Sequence, residues 1–288
     1  MYAAEFDYVR ASSIEEAISL KAENDDSSLL AGGHSLIPAM KLRLSTPQKL
    51  IDISGLDQLK QISKNGSHIS IGSLCTHKQC AESEIIQSNC PALSDAASVI
   101  GDPHEIGDPH VRTKGTIGGA LAHSDPQADY PGAILALNAT FVAKGPSGDR
   151  TIEVDGYFIG LWETALGEGE LLTEIRIPIN SMNANSCYVK FPQPASRYPY
   201  VGCGVSLSSN NGTCSDIRVG FSGVGEWAFR DTGVESTLKG QPLNDSTIAS
   251  AADKAAEGKT VLNDHFVSEE YRRAMSKVYA KRAMMQLS

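Results

Sequence analysis

Gly115-Thr116-Ile117-Gly118-Gly119-Ala120-Leu121-Ala122-His123-Ser124-Asp125-Pro126 is the stretch whose reading decides the fold. Three glycines fall within five residues, a short apolar run follows, and a polar cluster closes it. Glycine reaches positive φ and, lacking Cβ, can turn its N–H directly toward an anion. A stretch of the same make-up stands upstream: Leu29-Leu30-Ala31-Gly32-Gly33-His34-Ser35-Leu36-Ile37-Pro38. Read together, the two are halves of one cradle for a phosphorylated cofactor; either alone reads equally well as a tight structural turn. Neither has the G-x-G-x-x-G spacing of a Rossmann site, and no G-x-x-x-x-G-K-[ST] occurs. A bound phosphate would therefore sit on paired Gly-Gly turns from separate segments.

The totals limit what such a cradle can belong to. The 288 residues suffice for one large core or a few smaller ones. A hydrophobic fraction of 41% and a charged fraction of 20% describe an ordinary globular chain. With 25 basic and 34 acidic residues the formal charge is −9, which argues against nucleic acid or an anionic membrane as the main partner. No apolar run approaches the ~20 residues of a membrane span, and Met1 to Asp7 lacks a basic region followed by an apolar core. Cys75, Cys80, Cys90, Cys187, Cys203 and Cys214 show no C-x-x-C and no zinc or iron–sulfur spacing. They read as reduced, buried thiols of a cytoplasmic protein.

Outward from the glycine stretches, local patterns predict the elements. Phe6 to Arg10 alternates like a strand, Ser13 and Glu16 form a capping box, and Ser28 to Ala31 is a buried strand running into Gly32-Gly33. His34 or Ser35 caps a helix over 36–44, and 49–53 is a further strand, so the first unit is β-α-β-α-β. A hairpin turns at Lys64-Asn65-Gly66 between strands 59–63 and 68–72. Helices are predicted from Thr76 through Ile86 and over 91–100 and 131–138. Strands are predicted over 139–144, 150–154 and 170–177. The hexads Ile100-Gly101-Asp102-Pro103-His104-Glu105 and Ile106-Gly107-Asp108-Pro109-His110-Val111 match at five of six positions and read as loop. Asn180 to Ser186 is polar and reads as a structureless domain boundary. Three strands follow, over 187–191, 201–208 and 214–224, with a turn at Asn210-Asn211-Gly212. Helices follow at 231–239, 246–258 and 268–287; in the last, Tyr271, Ala274, Met275, Val278 and Met285 form the expected core stripe.

Ala31-Gly32-Gly33-His34-Ser35 with Leu36-Ile37-Pro38, together with Gly115-Thr116-Ile117-Gly118-Gly119, resembles the FAD-binding medium subunits of the molybdenum hydroxylases. That family includes carbon monoxide dehydrogenase and quinoline oxidoreductase and is similar to the flavin domain of xanthine dehydrogenase. The resemblance runs nearly end to end. It implies an α+β chain. Residues 1–178 would be a two-subdomain FAD-binding domain of the vanillyl-alcohol-oxidase (PCMH) type, divided near residue 56. Residues 179–288 would be a C-terminal flavoprotein domain, a three-stranded antiparallel sheet with helices. It further implies that Ala31, Gly32, Gly33, His34, Ser35, Thr116, Ile117, Gly118 and Gly119 hold the FAD pyrophosphate and adjacent sugar. Ser124 and Asp125 would touch the cofactor beyond the second turn. Tyr198 would be the aromatic residue near the isoalloxazine ring, with Tyr200 as the competing candidate. Arg197 stands where the family often has an acidic residue, and the second hexad copy looks inserted. His34 and His123 read, from their own positions, as imidazoles beside the cofactor. The implied partners are a large subunit with molybdenum–pterin and a small subunit with two [2Fe–2S] clusters, in a dimer of heterotrimers. The substrate would be an N-heteroaromatic compound or CO.

Two rival readings compete with that one. A self-sufficient FAD oxidoreductase would need no partners. A metal-dependent hydrolase would use Asp102, His104, Asp108, His110, His123 and Asp125, but no H-x-x-x-H appears among them. No G-x-S-x-G or other nucleophile constellation occurs, and no side chain is expected to be catalytic for the substrate.

Overall fold

The computed structural model describes residues 2–101 and 108–288. The N-terminal unit is β1 (Asp7–Arg10), α1 (Ile14–Ala22), β2 (Ser27–Leu30), α2 (Leu36–Lys41) and β3 (Lys49–Asp52). Its three strands form a parallel sheet in the order β1-β3-β2, as the β-α-β-α-β pattern predicts. Ser13 Oγ accepts from Glu16 N at 3.0 Å. The reciprocal arm of the expected capping box goes instead to Ser12, whose N–H donates to Glu16 Oε2 at 2.7 Å. Helix α2 stops at Lys41, three residues short of expectation, and Ser35 occupies its N-cap position without a side-chain cap bond.

A second sheet, antiparallel throughout, runs β4-β5-β10-β6-β7 and consists of β4 (Ile62–Asn65), β5 (His68–Gly72), β6 (Thr140–Gly145), β7 (Gly148–Glu153) and β10 (Leu171–Pro178). The small hairpin β8 (Phe158–Gly160) and β9 (Glu163–Thr164) lies beside it in sequence. The predicted strand 59–63 begins later, because Leu59 is buried in a 3-10 turn. The predicted helix through Ile86 is broken into α3 (His77–Glu82) and α4 (Glu84–Asn89). The extended Ser83 between them turns its hydroxyl to the N–H of Ile86 and starts a new helix. Next come α5 (Pro91–Ser98), α6 (Asp108–Lys114), α7 (Ile117–His123) and α8 (Tyr130–Ala136). Most of these helices pack on the second sheet around Ile69, Ile71, Leu93, Ile117, Phe141 and Ile175.

Helix α6 corrects the loop reading of the second hexad. Asp108 opens it, Pro109 sits where a missing N–H costs nothing, and Arg112 and Lys114 occupy the last turn, favourable for the dipole. Residues 102–107, which hold most of the first hexad, lie outside the described residues. Asn180 to Ser186 is not structureless either. Asn180 caps α9 (Ser181–Ala184) by accepting from Asn183 N at 2.7 Å.

The C-terminal part has one strand more than expected. Its antiparallel sheet runs β11-β12-β13-β14, from β11 (Ser186–Pro192), β12 (Pro199–Asn210), β13 (Thr213–Ser222) and the two-residue β14 (Phe229–Arg230). The Asn210-Asn211-Gly212 turn forms as predicted, with positive φ at Asn211 and Gly212. Helices α10 (Thr232–Leu238), α11 (Asp245–Ala252) and α12 (Glu269–Leu287) pack on this sheet. Of the apolar stripe expected on α12, Met275 packs against the core, but the fully buried face is a neighbouring one. Tyr271 and Met285 are exposed, whereas Arg272, Ser276, Ala280, Ala283 and Met284 are buried. Small residues let the helix lie close on β12, and Arg272 goes inside because the carbonyls of Tyr200 and Gly223 take its Nη1 at 2.7 and 2.6 Å. No helix among the described residues is long and apolar enough to cross a membrane.

Candidate functional site

The two glycine stretches meet at a cavity of about 570 Å³. Ala31, Gly32, Gly33, His34 and Ser35 line one side, and Gly115, Thr116, Gly118, Gly119 and His123 line another. The contact between the stretches is direct. A Cβ on Gly32 would come within 2.0 Å of the Lys114 carbonyl oxygen and 2.9 Å of Gly115 Cα.

Their backbones differ. Strand β2 ends at Leu30, the chain turns through Gly33 at φ +75°, and α2 begins at Leu36. Among the described residues, the N–H groups of Gly32, Gly33, His34 and Ser35 donate to no protein acceptor. Four successive unpaired N–H groups at a cavity wall match an anionic ligand in a way that a purely structural turn does not require.

The second stretch is not the glycine turn that the sequence suggests. Thr116 is the N-cap of α7, and Gly118 and Gly119 lie in the first helical turn. Their N–H groups have partners: Ile117 N donates to Cys75 O at 2.9 Å, Gly118 N to Ser73 O at 2.8 Å and Gly119 N to Thr116 Oγ1 at 3.1 Å. Gly118 is a packing necessity. A Cβ there would lie 2.4 Å from Ser73 Cβ and 2.6 Å from Ser73 O. Ile117 is fully buried in the core and does not line the cavity.

Beyond α7 the predicted residues spread out. Ser124 ends the helix in the left-handed region, is buried, and donates to Glu163 O at 3.3 Å. Asp125 Oδ1 accepts from Gln127 N at 2.8 Å. Neither lines this cavity. His123 does, and its ring stacks on Trp162 with centroids 6.5 Å apart. Tyr198 stands outside the cavity on the turn before β12, part-exposed. Burial, and then the charges of Asp125 and Asp129, raise its phenol above the ordinary value. Tyr200 is the interior tyrosine, packed against Phe191 at 5.5 Å with the Arg272 guanidinium 5.7 Å from its ring. Of the two candidates only Tyr198 remains at the surface.

Of the His/Asp metal cluster, Asp102 and His104 lie outside the described residues. His110 rides on α6 and His123 ends α7, and among the described residues no three His, Cys, Asp or Glu side chains converge. Burial, then the nearby charge of His110, lowers the His34 imidazole below its ordinary value.

Sequence reasoning missed His77. It lines the cavity from the start of α3, and its Nδ1 lies 3.0 Å from Tyr130 Oη. Burial, then the charges of His34 and Arg112, pushes it down to about 3, so it is neutral. A lone histidine behind a capping threonine carries no signal in the sequence. Glu170, also on the wall, is held below the usual carboxylate range chiefly by its bidentate bond to Arg150, at 2.6 and 2.8 Å. Ser73 was missed as well; it is 3% exposed, and its Oγ has no hydrogen-bond partner.

Residues 4–180 match the family described as the FAD-binding domain in molybdopterin dehydrogenase, and residues 186–287 match the CO dehydrogenase flavoprotein C-terminal domain. The chain belongs to the FAD-binding medium subunits of the molybdenum hydroxylases. This medium subunit is 36% identical to the carbon monoxide dehydrogenase medium chain of Hydrogenophaga pseudoflava, over 97% of this chain and 96% of that one. It is 33% identical to the glyceraldehyde dehydrogenase medium chain of Sulfolobus acidocaldarius, over the full length of both. Its fold superposes on a solved Hydrogenophaga pseudoflava carbon monoxide dehydrogenase with a TM-score of 0.93, covering 100% of this chain and 98% of that one at 36% identity. Quinoline 2-oxidoreductase from Pseudomonas putida 86 superposes at 0.92 with 28% identity, covering 100% and 98%. The medium subunit is thus an oxidoreductase component with an FAD-binding domain.

Proposed function

We propose that this chain holds one FAD in the cavity between the glycine stretches. In this role it is the electron-transfer subunit of a molybdenum-containing hydroxylase. The observation that carries the reading is the run of free N–H groups from Gly32 to Ser35. Each charge-assisted bond to a pyrophosphate oxygen contributes about 1.5–3 kcal/mol, so several hold the group without a lysine. Thr116 Oγ1 accepts from Gly119 N–H and keeps its own proton to donate across the cavity. A Cβ on Gly119 would lie 2.8 Å from Thr116 Oγ1 and 3.9 Å from Ala31 Cβ, so glycine there leaves room for the cap and for the first stretch. His34, disfavoured as a cation, serves as a neutral donor or acceptor, and His123 lines the cavity at the far end of α7. When bound, FAD supplies the redox chemistry, accepting electrons from a partner's iron–sulfur clusters and releasing them to an external acceptor. The chain's side chains position, pack and exclude water; none is required as a base toward the hydroxylated substrate.

The division at 178/179, with subdomains 1–56 and 57–178, belongs to this reading, as do Tyr198 beside the ring and a cytoplasmic dimer of heterotrimers. Relatives named for carbon monoxide, nicotine and caffeine support a substrate that is CO or an N-heteroaromatic compound, bound on another subunit. The test is the visible spectrum and cofactor content of the complex purified with its molybdenum and iron–sulfur partners. Flavin absorbance at one FAD per copy of this chain is expected. A colourless complex fully loaded with its other cofactors overturns the reading, and flavin reduction by an organic substrate without partners favours a self-sufficient oxidoreductase.

A further inference from the structure

We infer that Lys190 is a positioning residue that ties the turn carrying Tyr198 to the FAD-binding half of the chain. Lys190 points from β11 into the junction between the two halves, and its side chain is 7% exposed. Its ammonium meets three groups from three segments. Val99 O, just past α5, accepts at 2.5 Å; the Asp129 carboxylate, ahead of α8, lies at 3.1 and 3.2 Å; and Arg197 O accepts at 2.7 Å. All three ammonium protons are thereby used. Asp129 is itself fixed, because Tyr188 Oη donates to its Oδ1 at 2.9 Å.

Arg197 is where the latch acts. It adopts φ +64°, an uncommon conformation for a residue with a side chain, which persists only where its surroundings enforce it. The turn has local bonds of its own: Arg197 N to Gln193 O at 2.9 Å and Gln193 N to Tyr198 O at 2.8 Å. Those close the loop on itself. The Lys190 bond to the Arg197 carbonyl links it, through Asp129, to the segment that leads from α7 to α8. Tyr198 is the next residue, so the position of its ring follows that of the Arg197 carbonyl. The consequence for the flavin rests on the proposed function; the latch itself does not.

The test uses the full chain and its holoenzyme. Lys190→Met alone strands a buried carboxylate, so the second variant is Lys190→Met/Asp129→Asn, which removes both charges and keeps a partner for Tyr188. Amide hydrogen exchange is expected to rise at least tenfold in residues 193–198 while β12 and β13 stay protected. In the FAD-loaded complex, the visible circular dichroism of the flavin should shift in the same sense as in Tyr198→Ala. Unchanged exchange in the turn overturns the proposal. So does an equal rise throughout residues 186–222, which marks general loosening, and so does a flavin signal that responds to Tyr198→Ala but not to the double variant. A wild-type complex without flavin, or a flavin signal indifferent to Tyr198→Ala, counts against the cofactor reading instead. The exchange result then decides the latch on its own.

Discussion

At Gly32-Gly33, four successive N–H groups from Gly32 to Ser35 have no protein acceptor, whereas at Gly118-Gly119 the N–H groups bond Ser73 O and Thr116 Oγ1. Both stretches are Gly-Gly pairs behind apolar residues with His-Ser downstream. One lies on a turn between a parallel strand and a short helix, where nothing in the fold claims its donors. The other is the first turn of a helix pressed against the end of β5, where close approach requires glycine and capping consumes the donors. Composition shows that a backbone must come close to something; it does not distinguish a ligand from another backbone.

Substituting Gly118 tests the packing side most severely. Gly118→Val drives side-chain atoms into Ser73 and should cost about 3 kcal/mol in denaturant unfolding of the flavin-free chain. Gly119→Ala, one residue on, should leave that stability nearly unchanged. The gain of about 1 kcal/mol in helix propensity offsets a disturbed cap of similar size. Its new methyl, near Ala31, should instead weaken FAD binding in a titration. If the two substitutions destabilise the flavin-free chain equally, the close packing of Gly118 on Ser73 is not what sets the second stretch apart.

His77, whose N–H donates to Gly115 O at 3.0 Å, gives the second stretch a pH signature. Its folded value of about 3 lies below the ~6.5 of an unfolded histidine. Between those limits the unfolded chain binds a proton that the folded chain refuses. Stability therefore falls as pH is lowered from about 6.5 toward 3, by at most about 1.4 kcal/mol per pH unit from this group. Urea midpoints over that range should show a shallower slope in His77→Gln than in the parent chain; equal slopes would mean that His77 titrates normally.

The caps give the smallest and sharpest contrast. Thr116→Ala removes a bonded cap and should cost about 1 kcal/mol. Ser35→Ala, at a cap position whose side chain makes no cap bond, should change stability by less than about 0.5 kcal/mol. FAD affinity should fall in both variants. A large stability loss in Ser35→Ala would place Ser35 with the packing residues.

The same division separates what was legible in the chain from what was not. The parallel β-α-β-α-β unit, the Asn211-Gly212 hairpin and the helical C-terminus follow from periodicity and turn chemistry, which act over a few residues. The α12 stripe was misread because the helix buries Arg272 and alanines, and Arg272 belongs inside because the Asp264 carboxylate and the Tyr200, Gly223 and Leu262 carbonyls are there to receive it. His77 carries no local pattern, and its neutrality comes from burial first and then from the charges of His34 and Arg112, all set by the tertiary fold.

For the feature that decides the reading, the sequence by itself determined that two glycine pairs, about 80 residues apart, must let backbones approach closely, and its resemblance named the family. Only the tertiary structure decided which pair keeps its donors for a ligand. A peptide N–H is available or taken according to what packs against it, and in this chain those neighbours are Ser73 and Cys75, in the connection between β5 and α3, and the Thr116 cap.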